Sequence, residues 1–209
     1  MRVNVYVDAF NLYYGCLRGT AYKWLDLERL SRQYLRPGDQ LGRIRYFTAR
    51  VTSRPSDPQA PQRQQVYLRA LQTIPCLSVH FGRFQETETR MRLAEPPPRG
   101  PSTALVVKTE EKGSDVNLAS YLLFDAFRGD AEVAVVVSND SDLCEPIRLA
   151  ISELGLRVGI WNPYRRPSVE LRRIPPTFYK QIRPGALGAS QFPPELEDLR
   201  GIVKKPAAW

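Results

Sequence analysis

The chain has 209 residues, of which 43% are hydrophobic, and carries a formal net charge of +8. That length suits one large domain, or a domain with a substantial tail, and the composition supports a buried core. It excludes a helical membrane protein, because no apolar run approaches the roughly 18–20 residues that span a bilayer.

Val3–Val7 alternates and is rich in valine, which predicts a strand ending at Asp8, with a short helical segment from about Asn11. A helix is predicted over Leu27–Leu35, with Asp26 as N-cap and Pro37-Gly38 as the stop. Leu41–Val51 contains a second strand centred on Ile44–Thr48, and Thr52–Pro61 (TSRPSDPQAP) is a loop by composition. A helix through Gln62–Leu71 and a strand at Leu77–Phe81 follow. Gln85–Ser102 is polar and then proline-rich, and reads as a long exposed loop interrupting the domain. Beyond it the pattern predicts a strand at Ala104–Lys108, a helix at Asp115–Phe127 and a buried strand at Glu132–Val137. A helix at Leu143–Leu154, stopped by Gly155, and a last strand at Leu156–Trp161 complete the series. This alternation argues for an α/β fold with a mostly parallel central sheet and helices on both faces. The domain is expected over residues 1–162, with a basic, proline-rich tail, 163–209, packing on it.

Cys16, Cys76 and Cys144 are far apart and odd in number, so no disulfide framework is implied. The single histidine, His80, rules against a Cys/His zinc site and reads as a packed or surface side chain in mid-strand. Any metal would need oxygen ligands. The N-terminus alternates and forms no signal-peptide apolar region, which makes the cytoplasm the expected compartment. From Arg157 to Arg183 seven basic residues face one acid, Glu170, with Tyr164, Phe178 and Tyr179 interleaved. Such a segment can follow a phosphate backbone while its rings stack on bases. It can equally be a solvated surface whose arginines cover apolar neighbours.

The acids carry more information. In an open parallel sheet the functional crevice lies beyond the carboxyl ends of the strands. Asp8 follows the first strand directly, and Asp140 and Asp142 follow the strand Glu132–Val137 within SNDSD (Ser138–Asp142). Asp115 opens the helix reached from Ala104–Lys108, and right-handed crossovers would bring all three connections to one edge. Two carboxylates about 4 Å apart repel by roughly 4 kcal/mol at an effective dielectric of about 20. A hard divalent cation such as Mg²⁺ or Mn²⁺ removes that penalty and prefers oxygen donors. The chemistry that suits such a site is phosphodiester hydrolysis, with one metal or two. Asp115 and Asp142 also suit helix N-caps, whereas Asp8, after a buried strand, is hardest to explain without partners. Asn11 faces Asp8 or caps its own turn, and Ser138 and Asn139 either donate to ligands or shape their turn. Lys112 is a candidate phosphate contact or a plain exposed lysine, and Gly113 beside it lets a backbone approach.

VYVDAFNLYYG (Val5–Gly15) resembles the opening motif of NYN domains, in which a strand ends in Asp and Asn follows three positions later. EKGSDVNLASYLLFDAFRGD (Glu111–Asp130) resembles their central segment with its KGxD core, and VVVSNDSDL (Val135–Leu143) their third acidic motif. The resemblance implies a PIN-like α/β/α sandwich and an Mg²⁺- or Mn²⁺-dependent nuclease acting on RNA. It maps the acidic positions onto Asp8, Asp115, Asp140 and Asp142, with Asp8, Asp115 and Asp140 as metal ligands. Asn11, Ser138 and Asn139 would be accessory polar residues, and Lys112, Arg165, Arg166, Arg172 and Arg173 would hold the RNA. One departure is Tyr121, which stands where many relatives carry another acid. Two rivals stay open: a non-catalytic RNA-binding regulator, and an enzyme acting on a small molecule in the same crevice. No Gly-rich fingerprint follows the first strand, so a dinucleotide cofactor has little support. RNA sequence preference, endo- or exonuclease action and homo-oligomerisation are left open.

Overall fold

The valine-rich first segment becomes β1 (Arg2–Asp8), buried along all but its first residue. It leads into a short helix, α1 (Ala9–Leu12), and a π-helical turn at Tyr13–Leu17. The computed structural model describes residues 1–174 and 178–209. After α2 (Leu27–Tyr34), β2 (Gln40–Thr48), α3 (Ala60–Leu71) and β3 (Leu77–Phe81), the chain has built one half of a parallel sheet. Asp26 caps α2 as expected, accepting from the backbone N–H groups of Glu28 and Arg29.

The next segment departs from the expected loop. Arg83–Arg92 is a strand, β4, paired antiparallel with β5 (Thr103–Lys112), so the connection between them is confined to residues 93–102. The two form a separate ribbon, and β5 is therefore not a member of the central sheet. The physical reason lies in its solvation. Both faces of β4 meet water along most of its length, so it lacks the apolar–polar alternation of a half-buried strand.

The chain re-enters the domain as α4 (Ser114–Phe127), then β6 (Val133–Val137), a 3₁₀ turn at Ser141–Leu143, α5 (Cys144–Ser152) and β7 (Arg157–Asn162). Past residue 162, α6 (Val169–Arg173) is followed by β8 (Phe178–Gln181), which pairs with β7. The sheet therefore continues beyond residue 162 into the segment assigned to the tail. Helix α7 (Pro184–Ala189) and a hairpin of β9 (Glu195–Asp198) and β10 (Gly201–Lys204) close the chain. Arg69 of α3 holds that hairpin by a two-pronged contact to Asp198, and Trp209 packs against Trp24 and Tyr67.

The central sheet has six parallel strands in the order β3-β2-β1-β6-β7-β8. Two cores flank it. Val3, Val5 and Val7 of β1 point to the layer of α1, α2 and α3, while Tyr6 points to the layer of α4 and α5. This is a three-layer α/β/α sandwich. The strand order reverses between β1 and β6, and at that switch point the two following connections diverge and leave a crevice.

A buried polar cluster ties α4 to the sheet. Asp125 accepts from Arg45 Nε and Nη2, each at 2.7 Å, and from the Tyr6 hydroxyl at 2.8 Å. His80 lies 3.2 Å from Arg45 Nη1 and Tyr121 stacks over the same guanidinium, 4.4 Å from ring centroid to Cζ. Tyr121, the departure noted in the sequence, thus serves this packing.

Candidate metal centre

Asp8 ends β1 at the switch point, still in register with Phe47 of β2 but one residue past the last β1–β6 pair, Val7 with Val137. It is 5% exposed. Its Oδ1 accepts from the backbone N–H of Asn11 at 2.9 Å, which makes it the N-cap of α1, and its Oδ2 accepts from Ser138 Oγ at 2.9 Å. Ser138, fully buried just after β6, also accepts from the backbone N–H of Asp140 at 3.1 Å. One serine thus spaces the ends of β1 and β6.

Asp140 caps the 3₁₀ turn through the N–H of Asp142 at 3.0 Å. This reverses the expected assignment, in which Asp142 was the better cap. Asp142 is exposed and lies outside the group of three carboxylates that come together, while its backbone N–H donates to Asp140. Asp115 lies in the first turn of α4, behind Gly113, whose φ of +97° puts it in the left-handed region that glycine tolerates. A Cβ on Gly82 would clash with Glu111 Oε1 and lie 2.6 Å from the Lys112 carbonyl, so the chain leaving β3 presses directly on the turn that re-enters α4. Asp115 therefore reaches the crevice although β5 is outside the sheet: the ribbon departs and returns at the same edge.

Among the described residues, ligand atoms of Asp8, Asp115 and Asp140 lie within 4.8 Å of one another, and these carboxylates can hold a metal ion. None of the ion pairs among the described residues involves them. Burial and mutual repulsion show in the acidity of Asp8 and Asp115. Burial pushes the Asp8 carboxyl up to about 7, with Asp115 and Asp140 adding repulsion against the lowering effect of Asn11 and Ser138. Burial and then repulsion by Asp140, Glu111 and Asp142 push Asp115 up to about 6.

The other predicted residues divide. Asn11 turns its side-chain oxygen to the backbone N–H of Asn139 at 2.8 Å, tying α1 to the loop after β6. Asn139 in turn donates to the Arg166 carbonyl at 3.2 Å and accepts from the Ser168 N–H at 2.7 Å, so it tethers the segment after β7 beside the site. Arg165, Arg166, Arg172 and Arg173 are exposed. Lys112 lies at the end of β5, 3.5 Å from Glu110 Oε1, and is engaged by that acid. Two residues near the carboxylates were not among the predicted site residues. Glu111 accepts from the N–H and hydroxyl of Ser114 and acts electrostatically on Asp115. Tyr164 lies close enough to Asp8 and Asp140 that its hydroxyl, raised first by burial, is raised further by them. Glu111 carried a signal, its place just before the KGxD core; for Tyr164 there was only its place among the arginines.

The family model for the NYN domain matches residues 2–182 of this chain. The chain belongs to the NYN domain family. That match runs through β8 and stops before α7, in line with the sheet. Among curated proteins it is similar to 6-hydroxy-3-succinoylpyridine 3-monooxygenase HspA from Pseudomonas putida, 30% identical over a 243-residue alignment that covers all of this chain and 75% of that protein. Among solved structures it resembles VPA0982, a protein of unknown function from Vibrio parahaemolyticus. The TM-score is 0.55 at 15% identity, covering 88% of this chain and 93% of that one, a likeness of fold alone. Among the described residues no helix is long and apolar enough to cross a membrane.

Proposed function

We propose that this NYN domain hydrolyses RNA phosphodiester bonds with a divalent cation, Mg²⁺ or Mn²⁺, held by Asp8, Asp115 and Asp140. The observation that carries the reading is the convergence of three carboxylates from three separate segments, none of them in an ion pair among the described residues. An all-oxygen, anionic donor set fits a hard cation. When bound, such a cation supplies charge stabilisation at the scissile phosphate and activates water. The chain's own residues do the rest. Asp8 is held through both carboxylate oxygens, by the Asn11 N–H and the Ser138 hydroxyl, which would orient it toward a bound cation. Burial pushes its carboxyl up to about 7, so holding a cation there would favour the ionised form and release protons on loading. The exposure of Arg165 and Arg166, with the Arg166 carbonyl held by Asn139, supports their use as contacts for a phosphate backbone.

The test uses the purified full chain with single-stranded RNA, in Mn²⁺ or Mg²⁺ and in chelator, alongside Asp8→Asn prepared in parallel. Losing an outer-shell partner typically costs about 10–100-fold in metal affinity or activity, so losing a ligand should cost at least about 100-fold in cleavage. Cleavage undiminished in the variant would refute the reading, and metal-independent binding without cleavage would favour the non-catalytic regulator.

A second reading rests on the 30% identity to a protein named as a pyridine 3-monooxygenase. Under it, the crevice would take a hydroxylated nitrogen heteroaromatic ring, with O₂ and a reductant as co-substrates. Supplying 6-hydroxy-3-succinoylpyridine, O₂ and a reductant to the same preparation distinguishes the two. Hydroxylated product without RNA cleavage would replace the nuclease reading.

A further inference from the structure

We propose that β4 pairs edge to edge with β4 of a second copy of this chain, antiparallel and centred on Thr89, joining the two ribbons into one four-stranded sheet. The ribbon itself motivates the idea. Among the described residues, strand β4 is hydrogen-bonded only to β5, across ten register pairs from Arg83↔Lys112 to Arg92↔Thr103. Its other side is an open edge, and an unpaired edge of this length is a template for another strand.

Natural edges are often protected by charge, and β4 carries Glu86, Glu88, Arg90 and Arg92, all exposed. None of the four enters an ion pair among the described residues. Their order, two acids and then two bases at alternate positions on one face, decides what they exclude. A parallel copy would set like against like. An antiparallel copy shifted by two residues would oppose Glu88 to Glu88 or Arg90 to Arg90. The register centred on Thr89 sets Glu86 against Arg92 and Glu88 against Arg90, and by two-fold symmetry the same pairs recur on the other side. Such directly opposite pairs of opposite charge stabilise a sheet, and a self-complementary patch is what a two-fold interface requires.

Backbone geometry allows the same register. The Leu93 N–H donates to the Ser102 carbonyl, so odd-numbered residues of β4 direct their N–H and C=O groups toward β5. The even-numbered residues therefore point theirs to the open edge, and in the proposed register even faces even. Glu86 with Arg92 and Glu88 with Arg90 become hydrogen-bonded pairs, while Thr89 meets Thr89 across the close, non-hydrogen-bonded position. Leu105 and Val107 of β5 are 61% and 65% exposed and lie beside Arg90 and Glu88 on the same face. Joining the ribbons sets these side chains into two rows, each running Leu105, Arg90, Glu88 of the second copy and Val107 of the second copy. A nucleic acid is the less suitable occupant, because Glu86 and Glu88 would face its phosphates.

The test is a charge swap on the full chain, read by sedimentation or light scattering over a concentration series. The wild type is expected to dimerise reversibly. Glu86→Arg/Glu88→Arg and, separately, Arg90→Glu/Arg92→Glu place like charges opposite one another and should each weaken association by at least about tenfold. Mixing the two variants makes every pair complementary again and should restore the dimer as a heterodimer. Near-UV circular dichroism is read alongside; Glu88→Gln and Arg90→Gln, which remove charge without reversing it, should show smaller losses in the same direction. The proposal is overturned by a monomeric wild type at all concentrations, by charge-reversed variants that remain dimeric, or by a mixture that stays monomeric. It is equally overturned if Arg90→Glu/Arg92→Glu weakens RNA binding while the mass of the protein stays that of a single copy throughout.

Discussion

Replacing Asp8 with asparagine should make the metal-free fold more stable at pH 8 and remove its response to divalent cations. Asp8 is 5% exposed, and burial lifts its carboxyl from 3.8 to about 7. Below pH 4 the carboxyl is protonated in both folded and unfolded chains. As pH rises from 4 to 7 the unfolded chain loses this proton while the folded chain keeps it. Stability therefore falls by about 1.4 kcal/mol per pH unit over that window and levels off above it. The accumulated penalty at pH 8 is about 4 kcal/mol. Asparagine avoids it but gives up the charge-assisted part of the Ser138 contact, worth about 1 kcal/mol. The net gain of about 3 kcal/mol corresponds to a rise in Tm of about 6–12 °C for a chain of this size. Saturating cation acts in the opposite direction: at 100 times Kd it stabilises the wild type by about 2.7 kcal/mol and leaves the variant unmoved. Thermal melts at pH 5 and pH 8, in chelator and in Mn²⁺, check all of this. An Asp8→Asn protein less stable than wild type in chelator at pH 8, or a wild type whose Tm ignores both pH and Mn²⁺, would refute the reasoning.

Asp140→Asn keeps a good capping side chain, so its Tm in chelator should shift little while cation-dependent cleavage disappears. Asp142→Asn should retain cleavage within about tenfold, since its side chain is exposed and outside the three converging carboxylates; parallel assays of both variants separate the roles. Changing Arg165 and Arg166 to alanine should make the slope of log RNA affinity against log salt shallower by roughly 1 to 1.5, whereas a purely solvated surface leaves it unchanged. Asp125→Asn strands the buried Arg45 guanidinium and should lower stability by about 3–5 kcal/mol in denaturant titration, without altering the response to Mn²⁺ in the surviving fold.

The site was legible where burial writes a strong local pattern. β1 and β6 are valine runs because they lie inside the sheet, and their ends fall at Asp8 and just before Asp140. A carboxylate closing such a run needs a partner wherever the fold places it. The helix bearing Asp115 was legible from its periodicity and the KGxD segment before it. Part of β5 was legible as the strand read at Ala104–Lys108, but β4 was not, because it is wetted on both faces and its strand character depends on β5. Nor was β8, three partly buried residues and an exposed one whose conformation is decided by pairing with β7.

From the sequence alone came the fold class, the alternation of strands and helices, and the set of acids that a parallel sheet would gather at one edge. Only the tertiary structure decided that Asp140 and not Asp142 caps the turn, that Glu111 acts on Asp115, and that Asn139 holds the arginine segment beside the crevice. It alone revealed that Arg45 and Asp125, eighty positions apart, share one buried contact. Burial imposes a periodicity that can be read within a few residues. A hydrogen bond or ion pair between distant segments leaves no such local trace, since either partner alone is an ordinary polar residue until the fold brings the other to it.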